Sequence, residues 1–228
     1  QARQLPGVNK VALPDPRPET YKGRATHIFD VHSNSVKDVA TGTVHPLPYQ
    51  GWSVVTDPVT GNPTFQLQGS KTGTFTGTGY FNGDVKLSGL GGFKGILPLT
   101  VIAEGNVQIA GNGNYVPHDP DQLYIVAGGD MHITGNPGQI HEGIMIAKEQ
   151  IFVAGNPQVT GVMMACDLDD QNSLVTPNGM TPPNPVGSLT VTGSMTITYD
   201  GNLNGLIPEY QVDKKYFLDP RFAAYEER

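Results

Sequence analysis

The chain is poor in the residues from which most binding and redox chemistry is built. Of its 228 residues one is cysteine, Cys166, and one is tryptophan, Trp52. A single cysteine rules out an intrachain disulfide and leaves no Cys-x-x-Cys metal or haem signature. Charged residues make up 15%, the net charge is −7, and no Lys/Arg run exceeds two. The electrostatic footprint of a nucleic-acid or anionic-membrane binder is therefore missing. No apolar run reaches 18 residues and no basic segment leads into an apolar one, which excludes a membrane helix or a targeting signal in the sequence as read. A first residue Gln1 in place of Met, low charge and abundant Thr, Asn and Gly suggest an exported, processed, extracellular or cell-surface protein.

What the chain does have is glycine, 29 residues, and a short repeated phrase. The phrase is apolar, mostly polar, apolar, small, Gly. It reads Phe65-Gln66-Leu67-Gln68-Gly69, Val85-Lys86-Leu87-Ser88-Gly89, Val107-Gln108-Ile109-Ala110-Gly111, Met131-His132-Ile133-Thr134-Gly135 and Ile151-Phe152-Val153-Ala154-Gly155, with Met195-Thr196-Ile197-Thr198-Tyr199 as a sixth copy. Starts are 20, 22, 24, 20 and 44 residues apart, and the long last gap has room for one further turn. A period near 20 is too short for a strand, crossover helix and return strand, and suits one coil of a parallel β-helix. The fold class expected is all-β: a single-domain parallel β-helical solenoid of about seven coils between residues 63 and 202. At the usual strand spacing the stack would be ~35 Å long.

The columns of the repeat separate inside from outside. Alternation within the phrase predicts a half-buried strand, with Gln66, Lys86, Gln108, His132, Phe152 and Thr196 facing water. The strand upstream of the phrase differs. Val101-Ile102-Ala103, Ile125-Val126-Ala127, Met145-Ile146-Ala147 and Val162-Met163-Met164-Ala165 are apolar on both sides of the pleat, so something must cover the outer column Ile102, Val126, Ile146, Met164. Two covers are open: another part of this chain, or a neighbouring subunit. Gly111-Asn112, Gly135-Asn136-Pro137 and Gly155-Asn156-Pro157, with Gly61-Asn62-Pro63 at the other end, predict stacked Asn corners.

The stretch 101–167, with Val-Ile-Ala-Glu-Gly-Asn-Val-Gln-Ile-Ala-Gly-Asn, Tyr-Ile-Val-Ala-Gly-Gly-Asp-Met-His-Ile-Thr-Gly-Asn-Pro and Ile-Met-Ile-Ala-Lys-Glu-Gln-Ile-Phe-Val-Ala-Gly-Asn-Pro, resembles the β-helical domains of bacterial type IV pilus accessory, pilin-like proteins. More loosely it is similar to bactofilins and other polymer-forming β-helices. The prepilin helix of the first group is absent from the sequence as read. The resemblance implies a non-catalytic protein of a surface appendage or filament, joined to itself or to a separate helical subunit.

The flanks divide the chain into an extended, proline-rich arm over 1–25, a cap of short strands over 26–55, the β-helix over 56–206 with a loop insertion at 167–186, and a tail over 207–228. Assembly candidates are the outer column Ile102, Val126, Ile146 and Met164, and the tail aromatics Tyr210, Tyr216, Phe217 and Phe222.

No catalytic, cofactor or metal set emerges. Asp167, Asp169, Asp170 and Gln171 offer oxygen ligands, but the glycine and glutamate that a calcium loop places sixth and twelfth are Asn172 and Asn178. In an extended strand Asp30 and His32 share one face and His27 the other, so the three do not converge. His118, Asp119 and Asp121 read as a solvated turn, and His132 and His141 as ordinary members of their columns. Cys166 aligns with Glu104, Gly128 and Lys148, with an inert thiol set against a cross-link to another subunit. The functional expectation is a structural subunit of, or component attached to, an extracellular filament. The alternatives are an adhesin or a carbohydrate- or calcium-binding module using the 167–186 loop, and less favoured, a polysaccharide lyase or hydrolase.

Overall fold

The computed structural model describes residues 16–68, 75–88, 96–111, 113–135, 140–166, 189–193 and 196–198. A 3₁₀ helix (Pro18–Arg24) opens it, followed by four short strands, β1 (His27–Asp30), β2 (Ser35–Asp38), β3 (Val44–Pro46) and β4 (Trp52–Thr56). The repeats follow as β5 (Pro63–Gln68), β6 (Gly77–Phe81), β7 (Asp84–Ser88), β8 (Ile96–Ala103), β9 (Val107–Gly111), β10 (Asn114–Val116), β11 (Leu123–Ala127), β12 (Met131–Gly135), β13 (Ile140–Ala147), β14 (Ile151–Gly155), β15 (Gln158–Ala165), β16 (Leu189–Gly193) and β17 (Thr196–Thr198).

From β5 onward the strands alternate between two sheets, with β10 and β11 sharing one, and neighbouring strands there pair parallel. One sheet runs β4, β5, β7, β9, β12, β14, β16; the other contains β1 to β3 at one end, then β6, β8, β10 with β11, β13, β15 and β17. The phrase columns pair in register: Phe65 with Val85, Val85 with Val107, Val107 with Met131, Met131 with Ile151. In the second sheet Ile102, Val126, Ile146 and Met164 align in the same way. This is a parallel β-solenoid.

It has about 4 turns, not seven. The complete ones are β7 with β8, β9 with β10 and β11, β12 with β13, and β14 with β15. One turn of the overcount has a specific source. The strand stacked on Ile151–Gly155 is Leu189–Gly193, joined residue for residue from Ile151 with Leu189 to Gly155 with Gly193. Leu189-Thr190-Val191-Thr192-Gly193 is thus the sixth copy of the phrase, and no extra turn sits in the gap. Met195-Thr196-Ile197 lies outside that ladder: Thr196–Thr198 pairs with Gln158 to Thr160 in the other sheet.

The interior is filled by the inward columns. Phe65, Leu67, Val85, Leu87, Val107, Ile109, Met131, Ile133, Ile151 and Val153 are all buried. At the N-terminal end an aromatic plug closes it. Phe29 stacks on Phe81 with centroids 4.3 Å apart, and Trp52 lies 4.6 Å from Phe81. Trp52, Phe29, Phe65, Phe75 and Phe81 are essentially without solvent contact, each contributing roughly 2–3 kcal/mol of burial. Above the plug β1 to β3 and β4 pair antiparallel, ending both sheets.

Three of the four residues of the outer apolar column are covered from within the chain. Ile102, Val126 and Ile146 form a second buried cluster with Tyr21, Ala25, Tyr80, Leu123 and Ile144. Tyr21 belongs to the 3₁₀ helix, so the last part of the arm expected to be extended is helical. Pro18 supplies a fixed φ at the first turn, and Tyr21 anchors the turn on the sheet. The helix straps the outer face of the solenoid.

A stacked polar corner lies just before the phrases. Asp84, Asn106, Asp130 and Gln150, each just before a phrase, stand one above another. Asn106 N donates to Asp84 Oδ1 at 2.7 Å, Asp130 N to Asn106 Oδ1 at 2.8 Å and Gln150 N to Asp130 Oδ1 at 3.1 Å. Each side chain accepts from the backbone of the next turn, satisfying a donor that the corner takes out of the strand ladder. Of the Gly-Asn corners, Asn112 and Asn136 lie outside the described residues, and Asn156 donates its backbone N–H to Gly135 O at 3.1 Å.

The eight-residue strands β13 and β15 carry glycine at their midpoint. Gly143 and Gly161 are paired in register, with φ of +106° and +145°. Both lie where a side chain is strained, and a Cβ on Gly161 would collide with the carbonyl oxygen of Gly143.

Candidate functional site

The densest polar constellation of the described residues lies where the strap meets the excursion between β10 and β11. It grows from two threonines, Thr78 and Thr100, paired across β6 and β8 and 2% and 0% exposed. A buried hydroxyl must find partners. Thr100 Oγ1 donates to Leu123 O at 2.7 Å and accepts from His118 N at 3.1 Å and Asp119 N at 3.0 Å. It thereby sets the path of residues 118–123. Asp121 N donates to Asp119 Oδ1 at 2.9 Å, which turns both carboxylates to one side.

There they meet Arg24, the last residue of the 3₁₀ helix. Its Nη1 lies 3.0 and 3.1 Å from the two oxygens of Asp119 and 2.7 Å from Asp121 Oδ2. Burial opposes the charge on Arg24, but the bonds from Asp121 and Asp119 outweigh it and hold the guanidinium pKa above its ordinary value. Thr26, two residues on, donates from Oγ1 to Thr78 O at 3.0 Å and accepts from Thr78 N at 3.1 Å. Lys22 Nζ sits 4.6 Å above the Tyr80 ring, whose hydroxyl donates to Glu104 Oε1 at 2.6 Å. The turn expected at His118, Asp119 and Asp121 is present, with His118 exposed, but Asp119 within it is 3% exposed and closes a latch on Arg24.

A catalytic pair would need a different geometry here. His118 Nδ1 is 3.3 Å from Thr78 Oγ1, yet the hydroxyl is buried, and both nearby carboxylates face Arg24 in place of orienting the imidazole. Among the described residues no group of three His, Cys, Asp or Glu could hold a metal ion. His27 and Asp30 go separate ways: His27 Nε2 lies 3.8 Å from Asp38 Oδ2, whereas Asp30 accepts from Asn82 Nδ2 at 2.7 Å, Ser33 Oγ at 2.8 Å and His32 N at 2.9 Å. Those bonds, Asn82's first, depress the Asp30 pKa to about 2.

A second polar group lies inside the solenoid. His141 is fully buried, in register with Tyr115 and Val159. Its ring lies 6.2 Å from that of Tyr115 and 6.0 Å from that of Tyr124, all three nearly parallel. Tyr124 Oη and His141 Nδ1 are 3.1 Å apart, while Nε2 has no partner. Burial lowers the His141 pKa to about 4. The sequence signal for this was its column, shared with Leu97, Tyr115 and Val159.

His132 corrects a further expectation, because its column was to face water. The side chain is 7% exposed, packs edge-on against Phe152 with centroids 4.8 Å apart, and has its pKa lowered by burial. Trp52 is wholly buried and offers no platform to a sugar. Cys166 is half-buried, with its N–H donated to Ala147 O at 3.0 Å.

Of the assembly candidates, Ile102, Val126 and Ile146 are 0% exposed beneath the chain itself, and Met164 is half-exposed. Tyr210, Tyr216, Phe217 and Phe222 lie outside the described residues, as do Asp167, Asp169, Asp170 and Gln171 of the 167–186 loop. Compared with protein-family models, with curated proteins and with solved structures, the chain finds no match in any of the three.

Proposed function

We propose that this protein is a non-catalytic structural component of an extracellular filament or pilus-like surface appendage, working through contacts with further copies or with another filament subunit. The observation that supports this reading is how the polar side chains are used. Arg24, Asp119, Asp121, Thr78, Thr100, Tyr80 and Glu104 bind one another across turns, and the Asp84 to Gln150 corner does the same along the axis. These groups are spent on making a rigid rod with its outer stripe strapped down. Rigidity along one axis is what a load-bearing or spacing element requires, and parallel stacking supplies it because every turn is hydrogen-bonded to the next.

The test is negative-stain electron microscopy of native material beside light scattering of the isolated chain. Filaments, or rods bound to a partner, support the reading. A strictly single 24.4 kDa particle at high concentration, absent from any appendage, overturns it and directs the search to ligands.

A further inference from the structure

The two sheets end differently at the N-terminal face. β3 is three residues long and closes on Pro46, with Leu47 N turned back onto Asn34 O at 3.0 Å. Short length and proline are the ordinary means of blunting a sheet edge. β4, the edge of the seven-stranded sheet, has five residues, no proline and no charge.

The phase of its hydrogen bonds can be read at both ends. Trp52 donates its N–H to Tyr49 O at 2.8 Å and its C=O accepts from Tyr49 N at 2.9 Å, and both therefore point away from β5. At the other end Thr56 stands opposite Pro63, which has no N–H to give. Residues 52, 54 and 56 thus direct their backbone polar groups to the open side, and Ser53 and Val55 direct theirs to β5. Trp52 is satisfied by Tyr49. Val54 and Thr56 have no strand beside them among the described residues.

Side chains alternate in the opposite sense. Trp52 and Val54 pack on the core, so Ser53 and Val55 stand on the outer face, Val55 half-exposed. The open stretch is therefore symmetric about Val55, with one bonding residue on each side of it.

We infer that β4 is the contact for a second copy of this chain, paired antiparallel across a two-fold axis at Val55. Val54 of each copy then exchanges both backbone hydrogen bonds with Thr56 of the other, and the two Val55 side chains meet at a non-hydrogen-bonded position, where Cα atoms approach to about 4.5 Å. Self-complementarity argues for a like partner: an isologous contact needs one patch that satisfies itself, and an uncharged edge brings no like charges together. The inference rests on the assembly reading above and names its first contact.

The test uses the full chain with Val55→Lys and with Val55→Glu, each checked for unchanged far-ultraviolet circular dichroism, and reads mass by light scattering. Wild type is expected at twice 24.4 kDa or above. Each variant alone should lose the two-fold contact, halving the mass of a dimer, because like charges then face each other across the axis. An equimolar mixture of the two variants should restore it. A wild type that stops at two copies and falls to one in the variants upholds the contact and sinks the polymer. Larger wild-type species that shrink in each variant and recover in the mixture uphold both. Larger species indifferent to residue 55 uphold assembly and overturn this contact. A wild type that stays a single copy overturns this contact, and overturns the assembly reading as well where the native protein is also absent from any appendage.

Discussion

Arg24 and Asp119 are 95 residues apart in the chain, and the guanidinium Nη1 lies 3.0 Å from the carboxylate Oδ1. The pair closes the strap over the apolar column. The Asp119 carboxylate is buried and Arg24 is one-third exposed, so the loss of the cation leaves a desolvated anion behind, while solvent at the arginine moderates the cost. Arg24→Met, which keeps the apolar stem, should lower stability by about 1–2 kcal/mol in urea unfolding. It should also increase binding of a hydrophobic dye, as the strap loosens over Ile102 and Val126. An unchanged unfolding midpoint would show that the latch is ornamental.

His141 makes the fold acid-sensitive. Its pKa in the fold is about 4 against an ordinary 6.5, so between those values the unfolded chain binds the proton that the folded chain refuses. Stability is full above pH 6.5 and declines as the pH falls toward 4, by about 3 kcal/mol at the limit. His141→Gln retains a hydrogen-bonding group for Tyr124 and has no proton to take up. Its urea midpoint should be flatter than wild type between pH 7 and 4.5, and equal slopes would refute the assignment.

Asp30 works with the opposite sign of charge. Its carboxylate is held near pKa 2 chiefly by Asn82, so its contribution to stability is present above the ordinary value near 3.8 and disappears as the pH drops through about 2. Asn82→Ala should raise the Asp30 pKa toward 3.8 in an NMR titration. The same change also removes the acceptor of Val31 N, a 2.8 Å bond, and so should loosen the turn after β1.

Gly161 tests the midpoint of the long strands. Alanine there meets both a φ of +145° and the Gly143 carbonyl. Gly161→Ala should cost about 2 kcal/mol or more, whereas Thr160→Ala one residue before should cost much less. Thermal unfolding of the two side by side decides it.

The columns were legible because they depend on period alone. Phe65, Val85, Val107, Met131 and Ile151 could be written in register from spacing, and the coordinates pair them so. Leu189–Gly193 was missed although it fits the phrase better than Met195 to Tyr199, because the interruption before it hid the spacing. The Asp84, Asn106, Asp130 ladder was also visible in outline, each residue standing just before a phrase. It went unread because Asp and Asn are expected at any turn, and only stacking shows that one side chain caps the next turn.

By itself the sequence determined that the chain coils in units near 20 residues with two apolar faces per turn. The reason is that strand alternation and turn residues are written in neighbouring positions. Tertiary structure alone decided what covers the outer face, that Arg24 reaches Asp119, and that His141 and His132 are buried. The first two depend on where the N-terminal segment returns to the stack, and the burial of the histidines on what packs around their columns. A return of that kind couples residues about a hundred positions apart through burial and charge, and leaves no period in the sequence to be read.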